Sequence, residues 1–330
     1  MKKSGVTDIF PLTGALKDLY ESFPDHEKLD FLVGYVYLKY TSTFLHRTAE
    51  KFGFATTTNP PEPLDPGLEL FIHAYLDTMV PKASSVKTIP YASKVVKPED
   101  ASKLLSINED IDIRNANTVV PYEQANNIVI RNPTSIAVGE CACRLARDNH
   151  CEPMGSGLDG DKGIECCFFI GDPYASVIAE ENPRFRKCSQ EEAVEIMRRS
   201  HDSGAVQMAF WKKELNRNFY SICNCCRCCC LGILVHNQFR GAIPCVQSSG
   251  YMAEVDVERC SGCGICEDFC QFFAIAVDGE SDKATVDVRE CMGCGVCETK
   301  CPEDAVSLVR NPGVALDPVD LWKIKEKHRS

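Results

Sequence analysis

Two runs of cysteine near the end of the chain are spaced as metal ligands. They consist of Cys260, Cys263, Cys266 and Cys270, followed by Cys291, Cys294, Cys297 and Cys301. Zinc is usually held by two separate C-x2-C pairs. Three cysteines in C-x2-C-x2-C spacing can instead wrap one corner of a 4Fe-4S cubane, because the glycines between them let backbone amides approach the sulfides. The runs therefore predict two iron-sulfur clusters.

The segment that holds these runs resembles a bacterial-type two-cluster ferredoxin. The resemblance rests on the repeated spacing, on Pro302 after the last cysteine, and on apolar segments at 273–277 and 305–309 that follow the two runs. In such ferredoxins the fourth cysteine of each run ligates the other cluster. The resemblance implies that cluster one is bound by Cys260, Cys263, Cys266 and Cys301, and cluster two by Cys291, Cys294, Cys297 and Cys270.

Gln271 departs from this pattern, because it follows Cys270 where the second run has a proline. A proline fixes the turn after the last ligand and has no amide donor. We expect Gln271 to add a hydrogen bond or to admit water, and so to change one reduction potential without removing a ligand.

The remaining cysteines form two groups farther upstream. One comprises Cys141, Cys143, Cys151, Cys166, Cys167 and Cys188, and the other Cys223, Cys225, Cys226, Cys228, Cys229 and Cys230, with Cys245 after it. Repulsion among so many thiolates predicts that a metal or cluster neutralises them. Because Cys141-x-Cys143 and Cys223-x-Cys225 each follow a predicted strand, we expect them to meet at one sheet edge and to hold at least one further iron-sulfur centre. Its candidate ligands are Cys141, Cys143, Cys151, Cys166, Cys167, Cys223, Cys225, Cys226 and Cys228.

Other interpretations of these groups stay open. Vicinal cysteines cannot all bind one cubane, so some are structural or bind another centre. The Cys-Cys pairs resemble those that carry a non-cubane cluster in heterodisulfide reductases; a structural zinc site and a thiol-rich segment without metal are the alternatives. Arg144, Arg147 and Arg227 either offset cluster charge or are solvated.

The elements around these residues predict an α+β fold. Residues 1–108 are expected to form a mainly helical docking or dimerisation domain, 109–250 a cysteine-rich mixed α/β domain, 251–312 the two-cluster module, and 313–330 a tail. Hydrophobic periodicity and capping residues predict helices at 26–52 (one helix or a pair), 68–79, 98–107, 122–130 and 189–203. Strands are predicted at 135–139 and 205–210, and a hairpin is predicted at 273–288.

Charge and composition exclude several functions. The net charge is −11, and most of this excess lies in 251–310, which argues against nucleic acid as a partner and favours a basic surface on a redox protein. The chain has no apolar leader segment and no apolar run long enough to span a membrane, so we expect a cytoplasmic protein, from an anaerobe given its many thiols. No phosphate-binding loop, dinucleotide fingerprint or nucleophile elbow is present.

The whole chain resembles proteins described as 4Fe-4S dicluster domain-containing proteins. The resemblance implies an electron-transfer subunit that relays single electrons to or from a larger oxidoreductase, rather than a stand-alone enzyme, and we assign no catalytic residue. One alternative is an autonomous reductase with an open-site cluster in the middle domain. Another is a redox or oxygen sensor, and a homo-oligomer is possible in each case.

Overall fold

The computed structural model describes residues 14–54, 64–79, 91–122, 125–147 and 165–319. Its largest feature is an eight-stranded sheet with the order β2-β3-β4-β7-β6-β1-β8, in which β5 also pairs with β3. The strands are β1 (Tyr91–Val95), β2 (Ile111–Ile113), β3 (Ile128–Glu140), β4 (Glu165–Asp172), β5 (Phe185–Cys188), β6 (Val206–Lys212), β7 (Asn218–Cys225) and β8 (Val246–Gln247). Neighbours are antiparallel except β1 and β8.

Nine helices precede the C-terminal segment in the described part of the chain. They are α1 (Gly14–Ser22), α2 (Lys28–Lys39), α3 (Thr41–Lys51), α4 (Pro66–Met79), α5 (Pro98–Leu105), α6 (Ala142–Leu145), α7 (Tyr174–Glu181), α8 (Gln190–Asp202) and α9 (Leu231–Phe239). The predicted segment 26–52 is a helix pair, α2 and α3. The predicted start of α8 is confirmed, because the Ser189 hydroxyl accepts a hydrogen bond from the Glu192 amide at 3.2 Å.

The sheet is buried on both faces. On β6, Met208 and Phe210 belong to a core shared with α1–α4 and α7, whereas Ala209 and Trp211 belong to a core shared with α5 and α8. This alternation is the period of two that a strand imposes on its side chains. The face that α1–α4 cover is also the face on which Cys167 of β4 and Cys223 and Cys225 of β7 lie.

Two predictions about the first half of the chain need correction. The helix predicted at 122–130 is wrong: Ile128 begins strand β3, and Ile130 pairs with Ile111 of β2. Three β-branched residues in a row gain more from cross-strand packing than from the helix-start signal of Pro121. In addition, the segment 1–108, predicted to be mainly helical, also contributes β1, the next-to-last strand of the sheet, which pairs with β6 and β8.

The C-terminal segment is a small repeat of two halves. Strand β9 (Tyr251–Val255) pairs with β12 (Val306–Arg310), and β10 (Ile275–Asp278) forms the predicted hairpin with β11 (Lys283–Val286). Each half has one short helix, α10 (Ile265–Phe269) or α11 (Val296–Lys300). Gly264 and Gly295 precede these helices with φ of 79° and 83°, a conformation that favours glycine. None of the described helices is long and apolar enough to cross a bilayer.

Gly34 of α2 packs against the sheet connection at Lys213–Leu215. A methyl group at position 34 would overlap the carbonyl oxygen of Glu214. We predict that Gly34→Ala lowers the free energy of unfolding by about 1–3 kcal/mol, because overpacking outweighs the gain in helix propensity. Urea unfolding under anaerobic conditions, followed by tryptophan fluorescence, measures the change.

Gly279 provides the matched control. No atom lies within 4 Å of the place a methyl group would take there, so Gly279→Ala should change stability by less than about 0.5 kcal/mol. Equal stability of both variants would mean that α2 does not pack as described.

Candidate iron-sulfur sites

Two small cavities in the C-terminal segment are each lined by four cysteines. Each has a volume of about 20 Å³. The first is lined by Cys260, Cys263, Cys266 and Cys301, and the second by Cys270, Cys291, Cys294 and Cys297. The structure therefore brings together the two quartets that the ferredoxin resemblance implies, with the fourth cysteine of each run in the cavity of the other run.

Backbone amides point at these sulfurs in equivalent pairs. The amides of Ala284 and Ala253 donate to Sγ of Cys260 and Cys291, both at 3.4 Å. The amides of Ala274 and Ala305 likewise donate to Cys270 and Cys301, both at 3.2 Å. Amide hydrogen bonds stabilise thiolate charge and are one of the means by which proteins set cluster potentials. The residues present fit two thiolate-bound clusters.

The two cavities differ in exposure. Cys263 of the first is exposed, and backbone hydrogen bonds from Ala284 and Gly262 lower the pKa of Cys260. In the second cavity Cys294 is buried, and burial raises its pKa well above the ordinary value and raises that of Cys297 to about 12. The first site therefore faces the surface, whereas the rest of the chain covers the second.

Gln271 provides part of this cover. Its side chain is buried, its Oε1 accepts the Arg227 amide at 2.7 Å, and its Nε2 donates to the carbonyls of Gly204 (3.1 Å) and Phe269 (3.0 Å). Arg227 also donates from Nη1 to the carbonyl of Cys270 at 2.8 Å. Gln271, which stands where the second run has a proline, thus adds hydrogen bonds, as expected. These bonds hold the cysteine-rich turn against the second cluster site.

A third, much larger cavity of about 970 Å³ lies between the sheet and the N-terminal helices. Six of its lining cysteines come from the ends of β3, β4 and β7, from α6 and from the turn before α9: Cys141, Cys143, Cys167, Cys223, Cys225 and Cys230. The two upstream groups do meet, with β4 between β3 and β7, and Cys167 pairs with Cys223 across the sheet.

The other upstream cysteines divide differently from the prediction. Of the predicted ligands, Cys226 lines the cavity, Cys166 and Cys228 do not, and Cys151 lies outside the described residues. Sequence reasoning missed Cys229, Cys230 and Cys245, which also line it. One sequence feature could have identified Cys230: it immediately precedes helix α9, and the start of the helix fixes its position at the end of the turn.

The thiols around this cavity form a continuous network. Hydrogen bonds from Cys143, Cys166 and Cys167 hold the pKa of Cys141 well below its ordinary value, while donating to Cys141 raises the pKa of those three. Hydrogen bonds from its neighbours thus stabilise the thiolate form of Cys141. Deprotonation of further thiols in this buried network would require a cation, which a metal or cluster supplies.

Arg144 is the cation nearest to this network. Its buried side chain donates from Nη1 to Sγ of Cys166 at 2.9 Å and from Nη2 to the carbonyl of Asn224 at 3.3 Å. Of the other two arginines considered, Arg147 contacts the carbonyl of Phe54 and Arg227 contacts Cys270. Arg144 is thus placed to offset charge at the cavity, and Arg227 at the second ferredoxin site.

A buried hydrogen-bond chain joins the cavity wall to helix α11. Asn224 donates to the Cys166 carbonyl at 2.9 Å and accepts from Gln207 at 2.9 Å. The Gln207 oxygen lies 2.8 Å from His201 Nδ1, and His201 Nε2 lies 2.8 Å from the Thr299 hydroxyl. Burial lowers the pKa of His201, so the neutral ring donates to Gln207 and accepts from Thr299. The chain fixes the C-terminal segment against the sheet.

Comparison with known families supports the assignment of the C-terminal segment. The family model of the 4Fe-4S dicluster domain matches residues 259–305, which include both cysteine quartets. A search of curated proteins found no match to the chain. The predicted resemblance is confirmed for this segment: it is a 4Fe-4S dicluster domain and carries two 4Fe-4S clusters.

Replacing Gln271 tests its role in joining the segments. We predict that Gln271→Pro speeds amide hydrogen exchange of residues 226–230 at least about tenfold, because the Arg227 amide loses its acceptor and each lost buried hydrogen bond is worth about 1 kcal/mol. Exchange measured by mass spectrometry on anaerobic protein reports this. Pro302→Gln, the exposed equivalent position, should leave exchange in 226–230 unchanged; equal effects of both changes would contradict the assigned role.

Proposed function

We propose that this chain relays single electrons between a protein redox partner and a third iron-sulfur centre held in the cysteine-lined cavity. The observation that carries the proposal is the convergence of nine cysteines on one cavity, next to a dicluster domain that is hydrogen-bonded to its wall. Several buried thiolates packed together need a cation, and an iron-sulfur cluster supplies both the cation and a redox centre.

The ligands of this third centre come from six of the nine cavity cysteines: Cys141, Cys143, Cys167, Cys223, Cys225 and Cys230. Cys143 is central among them, because it hydrogen bonds with Cys141 on one side and Cys230 on the other. Cys166 is not needed, since its sulfur already has Arg144 and the Asn224 carbonyl as partners. The reduction potential of a cluster here depends on the hydrogen bonds and charges around it. Arg144 is the main charge beside it.

The positions of the cluster sites suggest the order in which an electron passes through them, from the surface to the cavity. The exposed Cys263 places cluster one toward a partner, helices α10 and α11 pack against each other between the two sites, and cluster two lies under the turn that borders the cavity. The acidic residues of 251–310 suit a basic docking face on an oxidoreductase subunit. A reducing compartment, the cytoplasm, suits the described cysteines, none of which forms a disulfide.

Iron and acid-labile sulfide, measured per chain on anaerobically purified protein, test the third centre. We predict about twelve of each in the native chain and about eight in Cys143→Ala, since one 4Fe-4S cluster would be lost. Cys188→Ala, on β5 and away from the cavity wall, should keep about twelve. About eight in the native chain would refute the third cluster.

The size of the cavity favours a second candidate function, the reduction of a small molecule. It measures about 970 Å³ against about 20 Å³ for each ferredoxin site, and substrate pockets are typically about 300–1,000 Å³. Its wall also holds polar groups: the Tyr37 and Tyr220 hydroxyls are 3.1 Å apart, and Lys212 pairs with Glu214 at 3.2 Å. A reductase would use these groups to orient a substrate or deliver protons.

A reductase role requires an iron with an open position in the cavity. We predict that cyanide then changes the electron paramagnetic resonance of the reduced third centre and leaves the ferredoxin signals unaltered. The same addition to Cys143→Ala should have no effect. If cyanide does not change the spectrum of the native protein, the reductase role is refuted and electron transfer alone remains.

A further inference from the structure

The turn before helix α9 holds a second group of close thiols. The Sγ atom of Cys228 lies 3.3 Å from that of Cys226 and 3.6 Å from that of Cys229, and all three atoms lie within 4.8 Å of one another. The turn is closed by the Cys230 amide, which donates to the Cys226 carbonyl at 3.0 Å. Three sulfurs therefore converge within one short, hydrogen-bonded turn.

This spacing suits one ion rather than a cubane. Thiolates bound at about 2.3 Å to a tetrahedral ion lie about 3.8 Å apart. A cubane binds each thiolate to a different iron, and the ferredoxin quartets accordingly surround cavities; no three of their sulfurs come within 4.8 Å of one another. The sulfurs of the turn are closer together than those of either cluster site.

The other compact thiol group in the described residues is different in kind. It comprises Cys141, Cys166 and Cys167. Cys166 there is turned to the Arg144 guanidinium, a cation that competes with a metal for the sulfur. The neighbouring arginine of the turn, Arg227, instead directs its guanidinium away, to the Cys270 carbonyl and the Phe273 ring.

We propose that Cys226, Cys228 and Cys229 hold a single divalent metal ion, separate from all iron-sulfur clusters, and that this ion is Zn²⁺. Sulfur-rich tetrahedral sites select zinc among mononuclear ions, and zinc binds such ligands more tightly than Fe²⁺ does. Cys226 and Cys229 are buried and Cys228 is partly exposed, so the fourth position is filled from the solvent side.

The position of the site gives the ion a role. Arg227, within the turn, binds Gln271 through its amide and Cys270 through its side chain. An ion that fixes the turn fixes these contacts, and with them the cover over the second ferredoxin cluster.

Metal analysis of the full chain, purified anaerobically with its clusters, tests the proposal. We expect about one zinc per chain. The X-ray absorption fine structure at the zinc edge should fit three sulfurs at about 2.3 Å. Cys228→Ala should lose the zinc and keep its iron and sulfide, because Cys228 lines no cluster cavity. Cys188→Ala should keep both zinc and iron.

Cobalt gives a second readout that does not depend on zinc supply. Protein produced with Co²⁺ should show the visible absorption of a tetrahedral cobalt thiolate in the native chain and in Cys188→Ala, and lack it in Cys228→Ala. A native chain with neither zinc nor cobalt, zinc that survives Cys228→Ala, or loss of iron in that variant would each overturn the proposal. The third of these results would instead make the turn a cluster ligand.

Discussion

Repulsion between closely packed, buried thiolates is the constraint on which the rest of this structure depends. Sulfur negative charge is costly away from water, and each added thiolate raises the cost for its neighbours. The chain meets this cost with three kinds of partner. Backbone amides donate to Cys260, Cys270, Cys291 and Cys301, thiols donate to Cys141, and Arg144 donates to Cys166. Cluster iron supplies the remaining positive charge in the dicluster domain.

Hydrogen bonds join the sheet to the C-terminal domain at the point where the cysteines of both lie close together. Gln271 connects the cysteine-rich turn to the residue after a cluster ligand, and His201 connects the cavity wall to helix α11 through Gln207 and Asn224. These contacts are buried and hydrogen-bonded, so they fix orientation more firmly than surface ion pairs would. A relay needs such fixed geometry, because electrons pass only between centres held close together.

The three cysteine-lined cavities of the described residues differ in what they can hold. The two small cavities leave room for a cluster alone, whereas the large one has aromatic and polar walls that a carrier does not require. The two small cavities therefore suit electron transfer alone, whereas the large cavity also has room for a substrate.

The sequence by itself determined the dicluster domain, its two cysteine runs and the hairpin between them, because cluster ligands lie on short turns and their spacing is local. The exchange of the fourth cysteine between the runs was implied by the ferredoxin resemblance. It also placed α4, α5, α8 and β6 correctly from periodicity and caps. Only the tertiary structure decided which upstream thiols meet, since Cys143, Cys167 and Cys225 lie on elements far apart in the chain. Cys166 and Cys167 are neighbours in sequence, yet residues of a strand alternate faces, and only Cys167 lines the cavity. The role of Gln271 was likewise decided by its partners Arg227 and Gly204, which local sequence could not reveal.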